Sequence, residues 1–295
     1  MQTDSVEAGS LSKTQIPYLL IIPVVALLFL VIVIPEIWAL FLSFTKYSPG
    51  FSPTYIGLLN YSKILHDPVF LQVLVNNIIF LASAIFLEFL IGFGTALLLF
   101  HGFPLQRVWT SLLITPYAIS PVVACVIWKY LLDPSYGVVN YVLSLPGIQP
   151  VRWFGTTPSS FIAIIITDVW ISSPFIQIIA YSALISIPQE ILEASLVDGA
   201  NAWQRFRYVI LPLIIPALLV ALIFRLIFAF REFGIPWMLT QGGPGHGTEI
   251  LSIYLYKTGF RYFEFGSASA IAWIMLIVTA ILSISIVKKM YKTIF

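Results

Sequence analysis

"EASLVDGANAWQRF", residues 193–206, is a polar interruption between two long apolar runs. It holds one glycine, Gly199, inside a pattern that otherwise predicts helix. A glycine just past the last helical residue commonly ends a helix in the left-handed conformation. Asn201 and Gln204 have the spacing of a capping box, which would start a second helix. The stretch therefore predicts a rigid elbow of helix, tight turn and helix along the membrane face.

The elbow belongs to a connection at about 185–207, which is longer than a plain linker needs. Ser186 and Gln189 have the spacing of another capping box, with Pro188 in the first turn, so the first helix should run to about Val197. Its apolar stripe comprises Ile187, Ile191 and Ala194. One interpretation is an amphipathic helix lying in lipid. The elbow lacks the Lys-rich face that such helices usually carry. This favours the other interpretation, a docking surface for a soluble protein.

The composition is that of a membrane protein. Of 295 residues, 59% are hydrophobic and 9% are charged, and the mean hydropathy is +0.97. Soluble domains carry about 25% charged residues. The net charge of +2 gives no indication of a nucleic-acid partner. The single cysteine, Cys125, leaves no disulfide within the chain and is interpreted as a buried, inert thiol.

Six apolar runs are long enough to cross a bilayer as helices of about 20 residues. They are at about 17–44, 73–100, 108–132, 160–184, 208–231 and 266–287. The predicted fold class is an all-α polytopic membrane protein of six transmembrane helices with one elbow. The domain organisation is an N-terminal tail at 1–16, a six-span domain at 17–287 and a C-terminal tail at 288–295. Prolines at 35, 116, 121, 174, 212 and 216 are expected to kink the spans.

The orientation follows from the basic residues, which are denser on the cytoplasmic side. One side of the six-span topology carries Lys13, Arg107, Arg205, Arg207, Lys288, Lys289 and Lys292. The other, with longer loops, carries Lys46, Lys63, Arg152, Lys257 and Arg261. Both termini and the elbow are therefore predicted to be cytoplasmic.

The elbow resembles the "EAA" loop of ABC-importer permeases. The matching residues are Glu193-Ala194-Ser195, Asp198-Gly199-Ala200, Phe206, Leu211-Pro212 and Pro216, with Ser195 in place of the second alanine. The resemblance implies a type I ABC importer permease fold, in which the elbow is a coupling helix seated in a groove of a cytoplasmic ATPase. Glu193, Ala194, Asp198, Gly199, Ala200 and Phe206 would carry the coupling. In this hypothesis Gly199 supplies the turn, Asp198 braces the elbow and Glu193 meets the ATPase or a basic group.

Three more segments resemble the carbohydrate-uptake branch of that family, including its maltose-importer-like first permease. They are "YIGLLNYSKILHDPVF", "LLDPSYGVVNYVL" and "MLTQGGPGHGTEILSIYLY". The resemblance implies a multi-pass subunit in the plasma (inner) membrane of a prokaryote that imports a di- or oligosaccharide. Its partners would be a second permease of a different chain, two ABC ATPase subunits and an external solute-binding protein.

The energy source is expected to lie outside this chain. The sequence contains no GxxxxGK[ST] phosphate loop, so we expect no enzymatic activity, and no cofactor or metal in this chain. ATP and Mg²⁺ would be bound by the partner ATPase subunits.

Ionisable residues at membrane depth usually face a cavity or a partner, because a charge in the bilayer core costs at least about 2.5 kcal/mol. The candidates are Glu36, Glu88, Asp168, Arg225, Arg231 and Glu232. In the structural interpretation, either Glu88 or Asp168 forms an ion pair with Arg225. In the alternative, Glu88 and Arg225 contact the substrate.

A substrate path is predicted on the fourth and fifth spans. Asp168, Ser172 and Phe175 are spaced i, i+4 and i+7, on one helix face. A carboxylate, a hydroxyl and a ring suit a sugar, which needs hydrogen bonds and a stacking surface. The resemblance adds Phe228, Ala229 and Glu232. The maltose permease has amides where this chain has Asp168 and Glu232, which indicates a sugar other than maltose and disfavours a strongly anionic one. Structural ion pairs and core aromatics remain the alternative.

Other function classes have weaker support. Import of a glycerol-phosphate or a polyol by the same architecture is the main alternative. A membrane enzyme acting on lipid would need a constellation such as DDxxD or HExxH, which the sequence lacks. A proton-coupled transporter would usually show repeated halves and would not need the elbow.

Overall fold

The computed structural model describes the backbone of residues 15–102 and 104–294, and the side chains of 21–102 and 104–288. Most of the predicted N-terminal tail, including Lys13, lies outside the described residues, as do the side chains of Lys289 and Lys292. The described part forms fourteen α-helices, which are α1 Gln15–Leu28, α2 Ile34–Ser43, α3 Leu59–His66, α4 Pro68–Phe100, α5 Gln106–Ala118, α6 Pro121–Leu131, α7 Val138–Ser144, α8 Thr157–Ile185, α9 Gln189–Val197, α10 Ala202–Arg205, α11 Leu211–Phe230, α12 Gly234–Thr240, α13 Leu251–Tyr256 and α14 Phe265–Ile294.

Five continuous helical stretches are long and apolar enough to cross a bilayer. They are Ile21–Ser43, Pro68–Phe100, Thr157–Ile185, Ala202–Phe230 and Phe265–Lys288. Each coincides with one of the predicted runs, and α14 continues beyond the predicted end of the sixth to Ile294. The remaining run, 108–132, forms two helices, α5 and α6, with a sharp bend between them. If this bent pair is counted as one span, the described residues form six spans. The all-α, six-span fold class is confirmed.

The third span is broken, so the prediction of one continuous helix over 108–132 is wrong. Helices α5 and α6 are bent by 104° at their junction. Ile119 and Ser120 have extended ψ angles of 137° and 136°. Ser120 precedes Pro121, and the ring of a proline disfavours helical geometry in the residue before it. Helix α5 packs against α8, and α6 packs against both α8 and α12.

Proline interrupts the other spans less. Helix α8 continues through Pro174 from Thr157 to Ile185. Pro35 and Pro212 lie in the first turn of α2 and α11, each just after a π-helical turn, Phe29–Val33 and Phe206–Ile210. A π-helical turn shifts the hydrogen-bond register within a helix, and proline is best tolerated in a first turn. Both spans therefore remain helical across their proline.

Helix α8 is the centre of the bundle. The most apolar window of this span is 67% buried, against at most 28% for the other continuous spans. Helices α4 and α8 make the most extensive helix–helix contact. The first span lies at the opposite extreme, since none of its window is buried within the chain. The core on which the functional side chains are mounted is therefore α8 with α4 and α11 against it.

The contact between α4 and α8 depends on Gly92. A methyl group at this position would overlap the carbonyl oxygen of Ser173 and the side chain of Ile176. We expect Gly92→Ala to lower the free energy of unfolding by about 1–3 kcal/mol, because well-packed helices accommodate added volume poorly. Thermal unfolding of the purified complex measures this. The matched control is Gly94→Ala on the same helix, where a Cβ meets nothing within 4 Å. Equal melting temperatures for the two variants would contradict the packing argument.

The end of the first span is tied to the start of the last. Strand β1, Thr45–Lys46, pairs antiparallel with β2, Thr54–Tyr55. The Asn60 side chain donates to the carbonyls of Ser43 and Thr45 at 2.9 and 2.8 Å. The amide of Gly266 donates to the carbonyl of Tyr47 at 3.2 Å. These bonds hold α2 antiparallel to α14.

Candidate functional site: an elbow and a cavity on three spans

The elbow forms as the sequence predicts at its turn. Helix α9 ends at Val197, and Gly199 adopts a φ of +72°. The amide of Gly199 donates to the carbonyl of Leu196, and that of Ala200 to the carbonyl of Ser195, both at 3.0 Å. This is the double hydrogen bond of a Schellman end. The predicted left-handed stop at Gly199 is confirmed.

The start of the second helix is also confirmed. Asn201 accepts from the amide of Gln204, and the Gln204 side chain accepts from the amide of Asn201, both at 2.9 Å. The prediction of a separate second helix along the membrane face is wrong. The helix continues into the fifth span as one stretch, Ala202–Phe230. The turn of the elbow is therefore followed by the fifth span with no further linker.

The start of the first helix differs from the prediction. Pro188 occupies the N-cap position, and no side chain caps the helix. The hydroxyl of Ser186 donates instead to the carbonyl of Ala183 at 2.8 Å. Ser186 still belongs to the end of α8, so it is turned toward the helix behind it. The predicted capping box between Ser186 and Gln189 is therefore wrong.

The predicted coupling residues divide by exposure. Glu193, Ala194, Asp198 and Gly199 are exposed, and Ala200 and Phe206 are half-buried. Glu193 accepts from the side chain of Gln189 at 2.8 Å. Asp198 makes no ion pair within the described residues, and the elbow is closed by the backbone and by Asn201. The predicted bracing role of Asp198 has no contact to support it.

The elbow is fixed to the bundle on one face only. Leu192 and Phe206 pack with Leu184 and Ile210 in an apolar cluster that includes the end of α4, and Ser195 is buried beside them. The rest of its surface is exposed and mixed. It carries the acidic residues Glu190, Glu193 and Asp198 beside the apolar residues Ile191, Leu196, Val197 and Trp203. Val197 is 88% exposed and Leu196 is 56% exposed, so the elbow presents apolar contact area beside its acidic groups.

A buried ion triad joins the three central spans. Arg225 on α11 donates to both carboxylate oxygens of Glu88 on α4, at 2.5 and 2.6 Å. It also donates to Asp168 on α8 at 2.6 Å. All three side chains are at most 5% exposed. The structure thus shows both carboxylates on one guanidinium, which is the structural interpretation considered above.

A cavity of about 550 Å³ opens beside the triad. It is lined by Tyr117, Arg225, Phe228, Arg231 and Glu232. One carboxylate oxygen of Glu232 accepts from the amide of Ile235 at 3.0 Å, which fixes the acid at the end of the fifth span. The cavity therefore presents aromatic rings together with hydrogen-bonding groups of both signs.

The predicted substrate-path residues lie at or behind this cavity. Phe228 and Glu232 line it. Phe175 stands next to it, with its ring 6.0 Å from that of Tyr117 and 6.5 Å from that of Phe228. The other three predicted residues, Asp168, Ser172 and Ala229, are buried and do not line it. Asp168 reaches the cavity only through Arg225.

Three lining residues are absent from the predicted path, Tyr117, Arg225 and Arg231. Tyr117 lies one residue before the end of α5, where the third span bends. The sequence signal was the pair Pro116 and Pro121, because a break within a span exposes polar backbone that must face a cavity or protein. Arg231 follows the last residue of α11, and no local pattern indicates which way it faces.

The connection between the fifth and sixth spans is held by buried charged groups. Glu249 is 1% exposed. Its carboxylate oxygen Oε2 accepts a hydrogen bond from Nζ of Lys257 at 2.6 Å and lies 2.8 Å from Nδ1 of His246. Asn76 on α4 donates to the backbone carbonyls of His246 and Glu249, both at 3.0 Å. The hydroxyl of Tyr254 donates to Asp67 at 2.5 Å. Burial raises the pKa of Tyr254, with Asp67 adding to the rise. These hydrogen bonds tie the connection between the fifth and sixth spans to α4 and to Asp67 just before it.

Comparison with known proteins identifies the chain. A family model described as the inner membrane component of binding-protein-dependent transport systems matches residues 88–292. The chain belongs to this family. The match covers the elbow, the triad and the cavity, so these features lie within the part that defines the family.

Relatives within this permease family include two with named substrates. The trehalose/maltose transport system permease of Thermococcus litoralis is 33% identical over 277 residues, which is 93% of this chain and 92% of the relative. The sulfoquinovosyl glycerol transport system permease of Agrobacterium fabrum is 35% identical over 259 residues, covering 87% and 84%. A bacterial alginate ABC transporter, solved with an alginate pentasaccharide-bound periplasmic protein, is 22% identical with a TM-score of 0.81, covering 92% of each chain. That structure shows the shared fold, so the type I permease architecture is confirmed.

Proposed function

We propose that this permease carries a saccharide, received from an external binding protein, across the membrane into the cytoplasm. The cavity between the spans supports this most directly. Its rings, Tyr117 and Phe228, offer stacking surfaces, and Arg225, Arg231 and Glu232 offer hydrogen bonds. The named substrates of the two relatives are consistent with such a cargo. No covalent chemistry is needed.

The charge around the cavity favours a neutral saccharide over a glycerol-phosphate. Arg225 is already held by two carboxylates, and Glu232 lines the same wall. Two guanidinium groups thus stand against three carboxylates in this region, leaving Arg231 alone to receive an anion. A phosphate would need more unpaired positive charge.

The elbow supports coupling to a separate ATPase. Its exposed surface carries the apolar residues Ile191, Leu196, Val197 and Trp203, and its second helix continues into the fifth span as Ala202–Phe230. We therefore place the elbow and both termini in the cytoplasm, with two ABC ATPase subunits that bind ATP and Mg²⁺, and a second permease of a different chain beside this one. The membrane is the inner membrane of a prokaryote. Glu193, Ala194, Asp198, Gly199, Ala200 and Phe206 would form the contact or set its angle.

Reconstitution tests the function. The complex that co-purifies with this chain, placed in liposomes with its binding protein, should take up a saccharide in an ATP-dependent manner. A panel of neutral mono-, di- and oligosaccharides, a polyol and a glycerol-phosphate identifies the cargo. Uptake of the glycerol-phosphate alone, or uptake that is independent of ATP, would reject the proposal.

The cavity makes a separate prediction. We expect Phe228→Ala and Glu232→Ala each to lower saccharide uptake per assembled complex by about fivefold or more, because a stacking ring or a buried hydrogen bond contributes on the order of 1 kcal/mol. Phe86→Ala is the control, since Phe86 is an exposed ring on α4, outside the cavity. Wild-type uptake in both cavity variants would remove these residues from the path.

A further inference from the structure

A second cavity, of about 530 Å³, lies between the first, fifth and sixth spans. Its lining includes Glu36 on the first span, Ile227 and Arg231 at the end of the fifth, and Met275, Leu276 and Thr279 on the sixth. Arg231 also lines the candidate substrate cavity, so this residue separates the two. Nothing in the proposed transport path uses this second space.

The body of the cavity is a groove along the last span. Its lining residues on α14 run from Ala272 to Ser283, which is about 16 Å of helix at 1.5 Å per residue. The aliphatic wall comprises Ile227, Ala272, Met275, Leu276 and Ala280. The hydroxyl of Thr279 is satisfied by its own helix, through the carbonyl of Met275 at 2.8 Å. A long, narrow and largely apolar groove between membrane spans matches an acyl chain.

The mouth of the groove carries two opposite charges. Glu36 and Arg231 both line it, yet neither belongs to any of the four ion pairs in the described residues. The neighbouring groups that could neutralise them are engaged elsewhere. Arg225 is held in the buried triad, and Glu232 accepts from a backbone amide. Glu36 and Arg231 are both exposed within this chain, so both charged groups can bind an external partner.

The level of the mouth fits a lipid headgroup. The helix that carries Glu36 runs from Gln15 through a π turn to Ser43, about 43 Å in length, whereas the hydrocarbon core is about 30 Å thick. Glu36 is seven residues, or about 10 Å, before the end of this helix at Ser43, which places it near the boundary of the core and not in its middle. Trp38, two residues after Glu36, is 56% exposed, as is typical of a tryptophan at the membrane–water interface.

We infer that this groove binds one phospholipid whose headgroup carries a primary ammonium and a phosphate, as phosphatidylethanolamine does. Arg231 binds the phosphate, the Glu36 carboxylate accepts from the ammonium, and one acyl chain lies along α14. The zwitterion matches the two unpaired charges. A choline headgroup has no N–H to donate to Glu36, and an anionic glycerol headgroup supplies no cation.

Lipid retention tests the site independently of transport. The purified complex is placed in nanodiscs containing equal amounts of phosphatidylethanolamine, phosphatidylcholine and phosphatidylglycerol, then released for native mass spectrometry. We expect about tenfold preferential retention of phosphatidylethanolamine, because the other two lipids lack the ammonium N–H that would donate a charge-assisted hydrogen bond to Glu36. Glu36→Gln and Arg231→Gln should each abolish the preference. Arg152→Gln, at an exposed arginine outside the cavity, should leave it intact.

A variant that fills the groove tests whether the lipid needs the space of the groove as well as the charges of Glu36 and Arg231. Ala272→Trp should remove the retained lipid while both charges remain. Equal retention of the three lipids by the wild-type complex would overturn the inference. So would a preference for phosphatidylglycerol, or retention that survives Glu36→Gln or Ala272→Trp.

Discussion

Arg225→Met is expected to destabilise the assembled permease by about 3–5 kcal/mol, because it leaves two buried carboxylates without their cation. The guanidinium makes three hydrogen bonds, two to Glu88 and one to Asp168. These bonds join α4, α8 and α11, so the loss should separate the helices that form the core. The measurement is thermal unfolding of the purified complex, together with the fraction of the chain that assembles.

Partial replacements make this prediction specific. Glu88→Gln should cost more than Asp168→Asn, since Glu88 accepts two of the three bonds. The triple variant Glu88→Gln, Asp168→Asn and Arg225→Met should recover most of the assembly, because it leaves no buried charge. The control is Arg152→Met, at an exposed position. A normal melting temperature for Arg225→Met alone would show that the triad does not stabilise the bundle.

Asp168→Asn also separates the two interpretations of that residue. If Asp168 only balances Arg225, a normally assembled Asp168→Asn complex keeps its uptake, because Glu88 still holds the guanidinium. If the carboxylate contacts the substrate during the transport cycle, uptake falls while assembly is retained. Uptake per assembled complex distinguishes these outcomes.

Gly199→Val is expected to reduce both substrate-stimulated ATPase activity and uptake by about tenfold or more, which corresponds to about 1.4 kcal/mol in the coupled step. The φ of +72° at this position is accessible to glycine, whereas a residue with a Cβ pays about 1–2 kcal/mol there and a β-branched residue more. A Cβ at Gly199 meets nothing within 4 Å. The effect would therefore come from a changed angle of the elbow and not from a clash.

Two substitutions control for strain itself. Gly199→Asn should largely preserve coupling, because asparagine tolerates the left-handed conformation. Gly50→Val introduces the same kind of strain at φ +88°, again with no neighbour within 4 Å, but in the connection between the first two spans. Normal coupling in Gly199→Val, or equal loss in Gly50→Val, would contradict a specific role for the elbow.

The elbow was largely predictable because its determinants are local. Gly199, Asn201 and Gln204 act on hydrogen bonds within a few residues, and capping preferences describe such contacts directly. The Ser186 prediction failed although its spacing was right. The carbonyl of Ala183 at the end of α8 was a nearer partner for its hydroxyl, and spacing does not reveal that competition.

The cavity was predictable in part. Phe228 and Glu232 were recognised through resemblance and do line it, whereas Asp168 was expected to face the path and is buried against Arg225. Arg225 is 57 residues from Asp168 and 137 from Glu88 in the chain. No local rule decides which acid such a residue meets. Tyr117 was missed because its position depends on the 104° bend of the third span.

By itself, the sequence determined the membrane class, the five continuous spans and the turn of the elbow, because hydropathy and capping act over one helix at a time. Only the tertiary structure decided that one guanidinium joins Glu88 and Asp168, that the third span breaks beside the cavity, and that Arg231 stands between two cavities. These features depend on how helices distant in the chain pack, since a buried charge is stabilised by whichever partner the packing brings within hydrogen-bond distance.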